Sequence, residues 1–342
     1  MFLPPSVPPE GGKRPTFTPP VGGAGGGRGQ LFSEQSPVSK MSVLLLFLDG
    51  VGLGEDDPAV NPFSAAALPN LDALLGRRSV FRKHGLVQAA QATLVPTDAT
   101  LGVDGLPQSA TGQTALLTGV NVVRQLGRHT GPWPGESLRD LLSTHSMFQV
   151  VSERGGRPYF ANAYPRQYFE ALGTRRRRMS AIPFAAQASG LELLGYEALR
   201  EGWAFSVDFT GEAWRDRLGY ADTPAISAGE AGARMADLAR RHTFTLYDLW
   251  PTDFIGHDRD MNAAVQTLES FDQFLGGVLQ GWNHERDLLL ITSDHGNVED
   301  LSRKTHTYNP VPTIIVGARH RTLADSIRDL TDIAPALLEV MF

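Results

Sequence analysis

The segment LLLITSDHGNVED, residues 288–300, most strongly limits the folds open to this chain. Its first four residues are apolar, and such a short unbroken run is typical of a strand buried on both faces, as in a parallel sheet covered by helices. Asp294 and His295 follow, and Gly296 and Asn297 favour a turn. Because ligands collect at the carboxyl ends of strands in such sheets, a carboxylate beside an imidazole indicates a metal site there.

Further apolar runs predict the rest of the sheet. Strands are predicted at 43–48, 87–95, 243–249, 287–292 and 311–316, with short strands at 149–152 and 158–161. Helical patterns occupy 230–241, 263–279 and 326–338, where Pro335 is expected to introduce a kink. Alternating strands and helices predict an α/β fold with a mostly parallel sheet sandwiched by helices.

The domain organisation follows from size and composition. The chain has 342 residues, of which 42% are hydrophobic, enough for one large α/β domain with a smaller second unit. Residues 1–40 are rich in Pro and Gly and are predicted to be a disordered tail. Residues 41–134 and 242–342 are predicted to form the catalytic core, and 135–241 an inserted cap or substrate region.

Composition also excludes several classes of function. A net charge of -6 argues against a nucleic-acid-binding surface, and no apolar run is long enough to span a bilayer. The absence of cysteine excludes disulfides, thiolate metal sites and a cysteine nucleophile, and it favours a reducing compartment, here the cytoplasm. The run Arg175–Arg178 fits either a solvated face or an anion-binding wall.

Potential metal ligands occur at four places, each close to the end of a predicted strand. They are Asp49, Asp253 with His257, Asp294 with His295, and His306. Each alone has an ordinary explanation as a turn cap, a buried histidine or a surface residue, but their shared placement favours a metal centre. The mixed oxygen and nitrogen set suits Mn²⁺ or Zn²⁺ better than Ca²⁺, and six ligands suit two cations better than one.

A pair of divalent cations suits phosphoryl transfer, which then requires a nucleophile. The segment PQSATGQT supplies two candidate hydroxyls, Ser109 and Thr111. Its glycine and the helix expected to follow would offer backbone N–H groups to a phosphate. Metal coordination would activate such a hydroxyl without a histidine base.

The same motifs resemble those of a known superfamily. SDHGNVED resembles the Asp-His-Gly-Asn motif of cofactor-independent phosphoglycerate mutase and phosphopentomutase, two members of the alkaline phosphatase superfamily. LFLDGVGLGE, DFIGHD and THTYNPVP resemble the other metal motifs of that branch, and PNLDALL resembles a helix start common in the superfamily. The resemblance covers roughly residues 41–120 and 243–342.

The resemblance implies a role for each matching position. One ion would be held by Asp253, His257 and His306, and the other by Asp49, Asp294, His295 and Ser109. Ser109 would also be the residue that becomes phosphorylated, with Thr111 as the alternative if the motif is shifted by two positions. Gln113 stands where the mutases carry the histidine of a Gly-His pair, and Gln113 and Arg166 are the candidate substrate contacts.

The resemblance leaves the reaction subtype open. The mutases carry a sizeable domain between the nucleophile and the Asp-x-x-Gly-His motif, whereas only Val120–Arg241 is available here. A smaller cap favours a phosphomonoesterase or phosphodiesterase that acts on a small phosphorylated substrate through a phosphoserine. The alternatives are an intramolecular phosphomutase and a non-catalytic metal-binding relic.

Overall fold

A mixed sheet runs through the computed structural model of this chain, which describes residues 41–77, 80–172, 174 and 178–342. The predicted disordered tail lies outside the described residues, as does the run Arg175–Arg178 except for its last residue. The strands of the described part are β1 Val43–Leu48, β2 Val87–Gln88, β3 Ala92–Thr97, β4 Pro158–Phe160, β5 Phe244–Leu249, β6 Leu288–Thr292 and β7 Val311–Val316. They are hydrogen-bonded in the order β2-β3-β7-β6-β1-β5-β4.

Half of this sheet is parallel and half is antiparallel. β1 lies parallel to β5 and β6, and β4 lies parallel to β5. β7 lies antiparallel to both β6 and β3, and β2 lies antiparallel to β3. The connection between β6 and β7 contains no helix, and without a crossover helix the chain returns in the opposite direction.

Helices cover both faces of the sheet, so the predicted α/β fold class is confirmed. The helices are α1 Pro62–Ala65, α2 Pro69–Leu75, α3 Ser109–Thr118, α4 Val122–Leu126, α5 Glu136–His145, α6 Met147–Glu153, α7 Arg166–Leu172, α8 Ala181–Ala188, α9 Tyr196–Arg200, α10 Glu212–Asp216, α11 Ala228–Ala239, α12 Pro251–Asp258, α13 Met261–Gly281, α14 His320–Ala324 and α15 Ile333–Met341. Short 3₁₀ turns occupy Arg82–His84 and Leu330–Asp332.

The alternation of side chains along β1 separates two hydrophobic cores. Val43, Leu45 and Phe47 pack in the core beneath α3, α5, α6, α8 and α15. The alternate residues Leu44 and Leu46 pack in the core beneath α2, α11 and α13. Both faces of the strand are therefore apolar, which is why its sequence reads as an unbroken apolar run.

The predicted inserted region, residues 135–241, contributes much of this core. β4 pairs with β5, while α5, α6, α8 and α11 each place buried side chains in one of the two cores. Those elements form part of the sheet and its cover. A cap or substrate role for residues 135–241 stays a prediction.

Three secondary-structure predictions were wrong. Residues 87–95, predicted as one strand, form the antiparallel pair β2 and β3 with a turn between them. Residues 149–152, predicted as a strand, lie inside α6, whose first turn is capped by the Ser146 side chain. The predicted helix 326–338 begins only at Ile333, because an Asp329 capping box first closes a 3₁₀ turn. Pro335 therefore falls in the first turn of α15. Backbone N–H groups in a first turn have no partner within the helix, so the proline removes no hydrogen bond and introduces no kink.

Within the described ranges, no helix combines the length and the apolarity required to cross a membrane.

Candidate metal centre

The carboxyl ends of three adjacent parallel strands bring the predicted ligands together. Asp49 directly follows β1, Asp294 and His295 follow β6, and α12 after β5 carries Asp253 and His257. Because β5, β1 and β6 are neighbours in the sheet, their carboxyl ends meet at one edge. The Gly50 N–H donates to Asp294 Oδ1 at 3.4 Å and so links two segments 244 positions apart.

His306 reaches this edge through the connection between β6 and β7. The Thr307 N–H donates to the Gly296 carbonyl at 2.9 Å, which folds the connection back on itself. The His306 ring then stacks on that of His295, with centroids 3.8 Å apart. Its Nδ1 lies 2.6 Å from the Pro107 carbonyl, so its Nε2 is directed to the other ligands.

One group of ligand atoms comprises Asp253, His257 and His306. His257 Nε2 lies 3.2 Å from His306 Nε2 and 3.4 Å from Asp253 Oδ2. His306 Nε2 lies 3.6 Å from Asp253 Oδ1. All three ligand atoms fit within 4.8 Å of one another, a separation that a single cation can bridge.

A second group surrounds His295. Its Nε2 lies 3.5 Å from Asp49 Oδ1 and 3.6 Å from Asp294 Oδ2. Asp49 and His295 also form a group within 4.8 Å together with Asp253. Asp253 thus offers an oxygen to both groups.

The two candidate nucleophiles have different surroundings. Ser109 is the first residue of α3, and its Oγ lies 3.1 Å from His295 Nε2. The Thr111 hydroxyl instead donates to the carbonyls of Gln108, at 3.1 Å, and Thr130, at 3.2 Å. Of the two, Ser109 is the hydroxyl at the ligand cluster.

The carboxylates of the cluster have the electrostatics of a site built for cations. Burial, followed by the charge of Asp294, raises the pKa of Asp49 well above its usual range. Burial likewise raises the pKa of Asp294. Asp49 Oδ1 is buried without a hydrogen-bond partner among the described residues. Oxygen and nitrogen donors so placed fit divalent cations, which would compensate the buried negative charge.

The histidines of the first group have pKa values shifted in opposite directions. The hydrogen bond with Asp253 is the main cause that raises the pKa of His257 to about 9. Burial, followed by the charge of His295, lowers the pKa of His306 to about 4. Burial also raises the pKa of Asp253, but the hydrogen bond from His257 and the neighbouring histidine charges outweigh it and leave that pKa below its usual range.

Gln113, a predicted substrate contact, hydrogen-bonds with the ligands themselves. It lies one helical turn after Ser109 in α3 and is 3% exposed. Its Nε2 donates to Asp294 Oδ2 at 3.0 Å and to Asp49 Oδ2 at 3.4 Å. The position at which the mutases carry a histidine is therefore filled here by a neutral donor to two carboxylates.

Arg166, the other predicted substrate contact, begins α7 on the surface. Its guanidinium pairs with Glu170 at 2.7 Å, and its side chain is 82% exposed. None of the contacts described for Arg166 reaches a metal ligand. Its role in substrate binding stays a prediction.

Three buried polar residues near the centre were not singled out from the sequence. Asn297 donates to Asp253 Oδ1 at 2.6 Å, and Glu299 accepts hydrogen bonds from the turns beside the ligands. Both lie inside the motif SDHGNVED, so the motif contained the signal. Asp248 in β5 is also buried, and burial followed by the charge of Asp294 raises its pKa well above its usual range. An acidic residue among the β-forming residues of FTLYDL was the signal there.

Comparison with known proteins finds relatives of this chain. The model of the Metalloenzyme superfamily matches residues 217–342. The 2,3-bisphosphoglycerate-independent phosphoglycerate mutase of Moorella thermoacetica is 30% identical over 128 residues, which are 36% of this chain and 25% of that protein. The enzyme of the same name from Prochlorococcus marinus is 27% identical over 285 residues, 76% of this chain and 45% of that protein. The chain thus spans less than half the length of these relatives.

Solved structures share the fold. Phosphoglycerate mutase from Leishmania mexicana superposes with a TM-score of 0.52 at 11% identity, covering 90% of this chain and 96% of that one. Alkaline phosphatase from the Antarctic bacterium TAB5 superposes with a TM-score of 0.50 at 12% identity, covering 88% of this chain and 97% of that one. At such low identity these likenesses concern the fold alone.

Proposed function

We propose that this chain, which belongs to the alkaline phosphatase superfamily of metalloenzymes, is a two-metal phosphoryl-transfer enzyme with Ser109 as its nucleophile. The observation that carries the proposal is the position of Ser109 Oγ, 3.1 Å from His295 Nε2 at the edge of the ligand cluster. A hydroxyl beside metal ligands, on the first residue of a helix, is well placed to attack a phosphorus atom.

The ligand groups define the proposed ion sites. Asp253, His257 and His306 would hold one ion, and Asp49, Asp294 and His295 the other, with Asp253 close to both. Mixed oxygen and nitrogen donors favour Mn²⁺ or Zn²⁺. When bound, the ions would supply positive charge for the phosphate oxygens and for the ionised serine hydroxyl.

The chain itself positions the nucleophile and the phosphate. Ser109 begins the ten-residue helix α3, whose N-terminal end carries partial positive charge that favours an anion. In the proposed reaction Ser109 Oγ bonds to phosphorus as the ester oxygen leaves with its electron pair, which produces a phosphoserine. An acceptor oxygen then attacks the same phosphorus and releases Ser109.

The relatives favour a mutase, in which the acceptor is a hydroxyl of the substrate itself. Both curated relatives are named phosphoglycerate mutases, and one of them aligns with 76% of this chain. The expected substrate is then a small phosphorylated acid, whose phosphoryl group moves from one hydroxyl to another by way of Ser109.

A phosphohydrolase is the second candidate, favoured by the structure of residues 135–241. Much of that region belongs to the sheet and its two cores, which leaves few elements to enclose a substrate. A less enclosed phosphoserine is accessible to water as the acceptor. The substrate would then be a phosphomonoester or phosphodiester.

The Ser109→Ala variant tests the nucleophile. The protein loaded with Mn²⁺ or Zn²⁺ is assayed with 3-phosphoglycerate and with p-nitrophenyl phosphate, and the variant is expected to lose turnover by roughly 1000-fold or more. Wild-type protein quenched during turnover should carry phosphate on Ser109, as peptide mass spectrometry would show.

Thr111→Val is the matched control for the shifted alignment. It removes a hydroxyl two positions away whose hydrogen bonds all go to the backbone of Gln108 and Thr130 and none to the ligand cluster, so turnover is expected to persist. Full activity of Ser109→Ala together with an inactive Thr111→Val would contradict the assignment. Tight metal binding without turnover on a broad phosphoester panel would instead support the non-catalytic relic.

Isotope-labelled water identifies the acceptor. Transfer to water places ¹⁸O in released inorganic phosphate, whereas a mutase yields an isomerised phosphoester without free phosphate. With 3-phosphoglycerate as the substrate, we expect the mutase result, an isomerised phosphoester without free phosphate. Labelled phosphate as the sole product would reject it in favour of the hydrolase.

A further inference from the structure

Glu299 is a buried carboxylate that accepts hydrogen bonds from several parts of the chain. Only 1% of the surface of Glu299 is exposed to solvent. Its Oε2 accepts from the backbone N–H groups of Gly52, at 2.9 Å, and Asn297, at 2.7 Å. Its Oε1 accepts from the Thr307 hydroxyl and, at 3.0 Å, from the Asn309 amide. All four donors are neutral N–H or O–H groups.

These donors lie in the turns that carry metal ligands. One is three residues after Asp49, another is two residues after His295, and a third directly follows His306. A single side chain therefore joins the turns that supply ligands to both ion sites.

The bond to Asn297 extends this connection to α12. The Asn297 side chain donates to Asp253 Oδ1 at 2.6 Å and to the Asp253 carbonyl at 3.0 Å. Glu299 fixes the Asn297 backbone, and Asn297 in turn fixes Asp253. Every segment that contributes a ligand is thus joined to Glu299 directly or through one residue.

The chain leaves no room for a side chain beside this carboxylate. A Cβ at Gly52 would lie 2.3 Å from Glu299 Oε1, and a Cβ at Gly296 would lie at the same distance from that oxygen. The backbone approaches the carboxylate closely from two turns because both positions are glycine. The position of the carboxylate is fixed by packing as well as by hydrogen bonds.

We propose that Glu299 is a positioning residue that holds the ligands of both ions in register, so that its loss weakens the binding of the two ions together. This inference rests on the proposed two-ion centre and adds to it a residue that is not itself a ligand. Residues that orient metal ligands typically contribute roughly 10–100-fold to metal affinity.

Gln113 provides the comparison that makes the proposal specific. Its amide donates to Asp49 and Asp294, which both belong to the ion site beside Ser109. Gln113→Ala is therefore expected to weaken one ion, whereas Glu299→Ala is expected to weaken both by roughly 10–100-fold. The affinity of Glu299→Gln for the two ions should lie between those of Glu299→Ala and wild type. An amide keeps one acceptor oxygen, but its NH₂ group faces other donors.

The experiment titrates Mn²⁺ into the full-length, metal-free protein without substrate. Isothermal titration calorimetry and Mn²⁺ electron paramagnetic resonance give the affinity and the number of ions, and circular dichroism establishes that each variant is folded. Folded Glu299→Ala that binds both ions with wild-type affinity would overturn the proposal, as would weakening of one ion only.

Two further variants apply if Glu299→Ala does not fold. Glu299→Gln preserves the volume of the side chain, and Gly52→Ala retains the carboxylate but displaces it through the close contact at Oε1. Both should weaken the two ions together, and wild-type affinities in both would reject the positioning role. If ion binding depends on Glu299 but the protein shows no turnover, the proposed function is rejected and the positioning role is not.

Discussion

Asp253 is the candidate ligand that the two groups of ligand atoms share. Its carboxylate lies close to both groups of ligand atoms and close to His257 and His306. The hydrogen bond between the two residues raises the pKa of His257. Burial raises the pKa of Asp253, but the same hydrogen bond, followed by the histidine charges, outweighs burial and holds that pKa down. The resemblance assigns Asp253 to one ion, and the structure places it within reach of the second as well.

A histidine outside the centre gives a pH dependence that can be tested separately. His242 follows α11, and its ring packs against that of Tyr159 in a tilted arrangement with centroids 4.3 Å apart. Its Nδ1 lies 2.9 Å from the Leu238 carbonyl. Burial, more than the nearby arginines, lowers its pKa from the usual 6.5. As the pH falls through 6.5 the unfolded chain binds this proton first, so stability present above that pH is lost.

We therefore expect His242→Gln to reduce the loss of stability below about pH 6.5, since an amide does not titrate there. Urea unfolding of the metal-free wild type and variant at pH 5.0 and 8.0, about 1.5 units either side of 6.5, measures the effect. His145→Gln, at an exposed residue, is the control. The same change in unfolding free energy between the two pH values in wild type and His242→Gln would refute the prediction.

At the scale of elements, two helices that support the sheet pack through glycine. A Cβ at Gly232 in α11 would lie 1.9 Å from the Phe274 carbonyl oxygen in α13, and a Cβ at Gly277 would lie 1.9 Å from that of Gly229. The backbones of the two helices can approach this closely only because neither position carries a side chain.

Gly232→Ala is expected to destabilise the protein by about 1–3 kcal/mol, because the added methyl group forces the two helices apart. Gly229→Ala in the same helix is the matched control, since its Cβ would meet one atom at 3.8 Å, an ordinary contact. The control should be neutral or stabilise by about 0.5–1 kcal/mol through helix propensity. Denaturant unfolding measures both, and equal values for the two variants would argue against close helix packing.

Two of the errors in element prediction, those at 149–152 and 326–338, have a common origin. Val150 and Val151 made 149–152 look like a strand, but the Ser146 cap and packing against the core place them in a helix. In 326–338 the apolar pattern was read correctly, and the capping box at Asp329 was missed. Caps decide where an element begins, and apolar periodicity alone does not reveal them.

At the scale of the whole molecule, the ligands join the ends of β1, β5 and β6 to the connection before β7. Cations that bind only this folded arrangement stabilise the entire unit by mass action. Metal removal should therefore change global stability as well as activity.

We expect a chelator to lower Tm, and saturating Mn²⁺ to restore it. At a free ion concentration about 100-fold above Kd, each site contributes about 2.7 kcal/mol, which corresponds to about 5 °C or more in Tm. Differential scanning calorimetry measures the shift, and Asp253→Asn, which alters both ligand groups, should reduce it. An unchanged Tm across the titration would show that the ligand groups do not bind Mn²⁺.

The sequence by itself determined which residue types follow the buried strands, and hence the α/β class, the ligand candidates and the two candidate hydroxyls. These are local properties, because burial on both faces and a following turn are written within a dozen residues. Only the tertiary structure decided that Gln113 faces Asp49 and Asp294, that Asp253 is near both groups, and that Glu299 joins the ligand turns. Such contacts depend on strand order, and apolar runs as alike as VLLLFL and LLLIT do not specify which strand lies beside which.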